Sequence, residues 1–201
     1  MYPQFFDEVP PIVLKDDLAC LLGTFVEGKV EITYLECVKM AGHSCPTVAG
    51  AYVLTQVALK KLFPTQVPVR GLVRIAFKEP KTNGVAGVMA QVMANITGAA
   101  DAGGFKGLGG EHVRAGLLSF EKPLKGMVQF SRVDTGEFVT LSYTPSQLPQ
   151  TPELSSLMEK ARLGDKEAQD IFGQTWQARV REVLFHYDKH GLVHVDEMGV
   201  F

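Results

Sequence analysis

The sequence has no surplus of basic residues. Its 20 Lys and Arg stand against 22 Asp and Glu, a formal net charge of −2, and Lys60-Lys61 is the nearest thing to a basic cluster. A nucleic-acid-binding face of the basic-patch kind is therefore not expected. Cysteine is scarce as well. Cys20, Cys37 and Cys45 are an odd set of three without a repeating spacing, which argues against a disulfide-stapled secreted domain and for a reducing compartment. Residues 1–8 show neither a basic n-region nor an apolar h-region, so a secretory signal is not expected and the cytoplasm is the expected location. No run reaches the roughly 18 apolar residues of a membrane span. Residues 85–100 come nearest, but Gln91, Asn95 and Thr97 interrupt them, and a buried helix is expected there. Phosphate-loop patterns are missing too. No Lys-Ser or Lys-Thr follows the glycines of 101–110, and His112 stands where Gly107-x-Gly109-x-x needs a last glycine.

What is there is a chain of 201 residues that is 46% hydrophobic, enough for one good core, or for a domain with a helical piece appended. Proline and aromatic residues make 1–11 an expected arm. Leu14, Leu18, Leu21 and Leu22 suggest a helix over 13–22, with Cys20 as a small buried apolar residue. Val30, Ile32, Thr33 and Tyr34 suggest a strand over 29–40 that ends near Cys37. A second strand is expected over 67–77 and a small-residue helix over 85–96, stopped by Gly98. After the glycine-rich loop come strands over 115–120, 127–133 and 137–143. The last two are joined as a hairpin through Asp134-Thr135-Gly136. This order is an α+β pattern: a mixed sheet with helices on one face. Pro145, Pro149 and Pro152 mark a linker, so residues 1–144 are expected as the main domain. Residues 145–201 are expected as a C-terminal helical module with a short final strand over 192–195. Its two helices span 153–163 and 165–189, and the long one carries an apolar stripe that must bury against something.

The chemistry gathers at Gly42-His43-Ser44-Cys45-Pro46. Pro is tolerated at the first position of a helix, so a helix should run from Pro46 to about Leu62, with Cys45 at its cap. On an extended approach, residues two apart point the same way, which lets His43 and Cys45 face one point beside the free N–H groups of the helix end. A sulfur next to an imidazole makes a metal-ligand pair or a reactive thiol. The plainer alternative is a cap histidine and a buried cysteine. Cys37 is the first candidate for a third ligand, brought back by the turn at 40–42, and a core-facing residue is its alternative. Glu111-His112, at the end of the glycine loop, is a second candidate and otherwise a solvated turn. His186, His190 and His194 are expected at the surface near a helix end. Trp176 is expected in the core, and Tyr52 and Gln91 are expected to face inward.

The residues Gly42-His43-Ser44-Cys45-Pro46, then Ala49-Gly50-Ala51-Tyr52, then Ala58-Leu59-Lys60-Lys61-Leu62 resemble the signature of the formylmethanofuran dehydrogenase E-subunit family. The later order is similar too: a small-residue helix with Gln91, a hairpin with Thr135-Gly136, and a helical region holding 157–164 and 177–184. The resemblance runs from about Gly28 to Met198. It implies a fold like the catalytic domain of glyceraldehyde-3-phosphate dehydrogenase, a homodimer, and one bound zinc or other divalent transition metal per chain. The chain departs from the family in two places. Residues 83–87 lack the thiol that often opens the family's second helix, and no zinc-ribbon cysteines follow. The family's ligand set therefore does not carry over whole, and His112 is the candidate that replaces the lost thiol.

Three functions fit these residues. One is a metal-binding protein with zinc at His43 and Cys45 plus Cys37 or His112, leaving room for a small-molecule ligand nearby. Another is a cysteine-dependent enzyme with Cys45 as nucleophile and His43 as base. The third is a non-enzymatic binding or accessory protein, dimeric through its C-terminal helices.

Overall fold

The computed structural model describes residues 2–201; Met1 lies outside the described residues. The fold is α+β, with six α-helices, a five-stranded mixed sheet and a two-stranded sheet among those residues. The small sheet pairs β1 (Ile12–Lys15) with β2 (Lys29–Ile32) in antiparallel fashion. Between them lies the short helix α1 (Asp17–Leu21), whose cap is Asp16. Then come α2 (Tyr34–Ala41), α3 (Pro46–Leu62), β3 (Val73–Phe77) and α4 (Ala86–Thr97), followed by β4 (Leu118–Ser119), β5 (Val128–Arg132) and β6 (Glu137–Tyr143). The chain closes with α5 (Leu154–Arg162), α6 (Lys166–His186) and β7 (Val193–Val200).

The large sheet has the order β4-β3-β5-β6-β7. Only the β3–β4 pair is parallel; the others are antiparallel, and β5–β6 is the expected hairpin. Strand side chains alternate between two faces. Val73, Ile75, Phe77, Val128, Phe130, Val139 and Leu141 all point to one face and are fully buried. Helix α3 packs there against β5 and β6, and α4 against β3. The small residues Ala49, Gly50 and Ala51 open α3 and are buried, Gly50 lies close against the Tyr143 ring of β6, and α3 also packs on α4 and α6. Helix α6 lies on α3 and β7 pairs with β6 along its whole length, so the residues beyond 144 are built onto the same core.

Several expected elements are different in the structure. The stretch expected as a helix over 13–22 starts as β1, with Ile12 and Leu14 buried, and the backbone turns only at Asp16. Asp16 accepts from the Ala19 N–H at 3.1 Å, and such a cap holds a helix start strongly. Cys20 is exposed, not buried, because α1 has only five residues and buries none of them. The strand expected over 29–40 stops at Ile32. Thr33 and Glu36 form a reciprocal capping box that starts α2, so Cys37 lies on a helix. Strand β7 runs to Val200, longer than expected. The arm is not loose over its described part: Phe6 and Val9 are buried, and Phe6 meets the Tyr34 ring edge-on with centroids 5.0 Å apart.

Candidate functional site

Helix α3 begins as its sequence dictates. Pro46 takes the first position, and Cys45 caps it in extended backbone (φ −151°, ψ 166°). The Cys45 Sγ accepts from the Val48 N–H at 3.4 Å. Cys45 is 9% exposed, a sulfur just beneath the surface at the helix's N-terminal end, where unpaired N–H groups gather. Gly42 ends α2 in the left-handed region (φ 78°), which glycine adopts without cost, so the chain reverses within a few residues.

His43 is exposed, and its Nδ1 stands 3.1 Å from the Ala41 carbonyl oxygen. A carbonyl only accepts, so Nδ1 carries a proton, and in the neutral ring the lone pair is then on Nε2. Ser44, between the two, is clasped from α6. Its carbonyl accepts from Trp176 Nε1 at 3.2 Å and from Gln177 Nε2 at 3.3 Å, and its hydroxyl donates to Gln177 Oε1 at 3.0 Å. The Tyr34 hydroxyl sits 2.9 Å from the same Ser44 hydroxyl oxygen. On the inner side, the Tyr143 hydroxyl donates to the Pro46 carbonyl at 2.8 Å. Burial pushes the Tyr34 and Tyr143 hydroxyls up from their ordinary value, so both stay protonated as donors. Thus β6, α2 and α6 together fix the turn that carries His43 and Cys45. Trp176, expected only as core packing, serves as a half-buried anchor of that turn, and sequence reasoning does not reach Gln177 at all.

The other expected ligands lie elsewhere. Cys37 is on α2, 1% exposed, and burial pushes its thiol up to about 12. His112 is in the glycine-rich loop, with left-handed backbone (φ 59°), at the wall of a cavity of about 540 Å³. Among the described residues no three His, Cys, Asp or Glu side chains are grouped as a metal ion would need. Tyr52 does face inward, 1% exposed, with its hydroxyl donating to the carbonyls of Pro10 (2.9 Å) and Ile32 (3.0 Å). Gln91 is exposed instead, because Met89, Ala90, Val92 and Met93 take the inner side of α4. His190 pairs with Glu182 at 2.7 Å near the end of α6, and hydrogen bonding to it holds the Glu182 carboxyl below its ordinary value.

Of the donors that the resemblance implies for zinc, two suit the ion. An imidazole whose Nδ1–H is held by a carbonyl is the form in which histidine ligates metals, and a cysteine sulfur two residues on is the matching soft donor. Cys37 is buried on α2 and is not grouped with them as a third ligand. Two side chains are half of a tetrahedral set and one fewer than the three protein ligands of an open zinc site, and among the described residues no third His, Cys, Asp or Glu is grouped with them. No helix among the described residues is long and apolar enough to cross a membrane. No family model matches the chain, and no curated protein matches it.

Proposed function

We propose that this is a metal-binding protein resembling the E-type subunits of formylmethanofuran dehydrogenase, with a divalent transition metal, zinc first, held at an open site by His43 Nε2 and Cys45 Sγ. One observation carries the reading: the Ala41 carbonyl holds the Nδ1 proton of His43, which leaves Nε2 as a free donor two residues from the sulfur. The remaining positions on the ion are for water or a small-molecule ligand. Elemental analysis of the purified chain, dialysed against zinc and then against buffer, should give about one ion per chain. Cys45→Ser and His43→Ala should each lose it. Metal-free wild-type protein would overturn the reading.

A second reading rests on the Val48 N–H that points at Cys45 Sγ: a thiol enzyme with Cys45 as nucleophile and His43 as base. Metal-free protein in which Cys45 is alkylated rapidly, more slowly in His43→Ala, is the result that favours it. Both readings go with a cytoplasmic homodimer joined through α5 and α6. Met158 and Leu163 on that hairpin, 44% and 83% exposed, support this contact.

A further inference from the structure

A second site lies well apart in sequence from the His43–Cys45 turn. It is the cavity of about 540 Å³ whose walls include Arg70, Gly71, Arg74, Glu111 and His112, a size that takes a small molecule. Its roof is a two-residue hairpin. Leu108 and Glu111 exchange both backbone hydrogen bonds (2.9 Å each), and Gly109 and Gly110 between them have φ of 58° and 92°, the turn that two glycines favour. The hairpin hands the chain to His112, itself left-handed, a conformation uncommon outside glycine and one that clusters at ligand sites. The backbone N–H groups of Gly110, His112 and Val113 have no acceptor among the described residues. Those of His112 and Val113 are adjacent in sequence, while the Glu111 N–H before them is used by the hairpin, and adjacent free N–H groups can make an anion-binding concavity.

The charge beneath this roof is unbalanced. Asp16 is paired with Arg70 at 3.1 Å and with Arg114 at 2.8 Å, two guanidinium groups on one buried carboxylate. Arg114 is 9% exposed, and its Nη1 is buried with no hydrogen-bond partner. That nitrogen lies directly behind the cavity wall, since a β-carbon on Gly71 would overlap it and one on Gly98 would come within 2.9 Å. Arg74 is exposed at the cavity and makes no ion pair among the described residues. Of the acids at the wall, Asp17 is taken by Lys15 at 2.8 Å, which leaves Glu111 as the free one. A buried cation in excess, an unpaired arginine at the mouth and a row of free N–H groups all call for negative oxygen.

We propose that this cavity binds a small anionic ligand through a carboxylate or phosphate group, with Arg74 and the N–H groups of the glycine hairpin as its direct partners. The buried Asp16 pair of arginines supplies the background field. The proposal does not depend on the reading of Cys45.

Isothermal titration calorimetry of the full chain at low ionic strength, with inorganic phosphate in one arm and malonate in the other, tests it. Saturable binding at one site per chain is expected in at least one arm, and the arm says which oxygen group the site takes. Arg74→Gln should weaken it about tenfold while the exposed position leaves the melting temperature unchanged. Glu111→Gln should tighten it by roughly threefold, the size of one screened charge at short range. Cys45→Ser should bind as wild type does, which separates this result from any failure at the other site. No saturable binding in either arm, or an Arg74→Gln protein that binds as tightly as wild type, overturns the proposal.

Discussion

Gly50→Ala is the substitution whose sign the structure reverses. Gly50 lies inside α3, and in a helix interior alanine is ordinarily better than glycine by about 1 kcal/mol. Here a β-carbon at position 50 would overlap the Tyr143 ring, 2.9 Å from its Cδ1 and closer to the neighbouring ring atoms. The ring cannot swing aside freely, because Tyr143 is 5% exposed and its hydroxyl is tied to the Pro46 carbonyl. Overpacking of this kind costs about 1–3 kcal/mol, and loss of the Tyr143 hydrogen bond adds about 1 kcal/mol. The propensity gain offsets only part of this, so a net destabilisation of about 1–3 kcal/mol is expected. For a chain of this size that lowers the melting temperature by roughly 2–4 °C per kcal/mol. Thermal unfolding followed by circular dichroism reads it. In a Tyr143→Leu background the obstacle is gone, and Gly50→Ala should become neutral or stabilising; the two substitutions are then coupled by more than about 1 kcal/mol. If Gly50→Ala stabilises the wild-type chain, or if the two effects simply add, Tyr143 does not hold the start of α3 in the way described.

Three further outcomes follow from the same contacts. Asp16→Ala leaves Arg70 and Arg114 without their carboxylate and should cost about 3–5 kcal/mol in urea unfolding. Asp16→Asn keeps the cap to Ala19 and should cost less. Cys37 has its thiol raised from 9.0 to about 12 by burial. The unfolded chain therefore loses this proton first as pH rises, and stability should fall between those values by up to about 1.4 kcal/mol per pH unit. Urea midpoints measured across this range should show that slope reduced in Cys37→Ala. Gln177→Ala removes two of the hydrogen bonds on Ser44. It should raise the alkylation rate of Cys45 severalfold with a loss of only about 1–2 kcal/mol in stability.

Helix α3 was legible because its signals are local. Pro46 suits a helix start, Pro64 suits the stretch just past a helix end, and the small residues between them have no strand pattern. The β5–β6 hairpin was legible for the same reason, through Gly136. Helix α2 was hidden, although Thr33-x-x-Glu36 is a capping-box signature in plain view. The β-branched run Val30, Ile32, Thr33 extends the strand pattern across the cap, and Thr serves strands and caps equally well. At residues 13–22 the leucine spacing fits a helix, but burial alternates on Ile12 and Leu14, and Asp16 divides the segment. The clasp on Ser44 was not legible at all. It joins residues 132 and 133 positions apart in sequence, a distance at which no periodicity speaks. In the sequence His112 reads as a ligand-type residue beside flexible glycines. Only the course of the chain shows that its cavity is walled by β3 and the segment before it, with arginines rather than thiols.

The central claim is that the α2–α3 turn presents an imidazole nitrogen and a sulfur to one ion. Titration of the metal-free chain with cobalt(II) reads both donors at once. Wild-type protein should take up one equivalent and develop a sulfur-to-cobalt charge-transfer band in the near ultraviolet. That band should be absent in Cys45→Ser and should need a much higher cobalt concentration in His43→Ala, while Cys37→Ala should leave it unchanged. A wild-type chain that gives no such band, or a band that survives in Cys45→Ser, would contradict the claim.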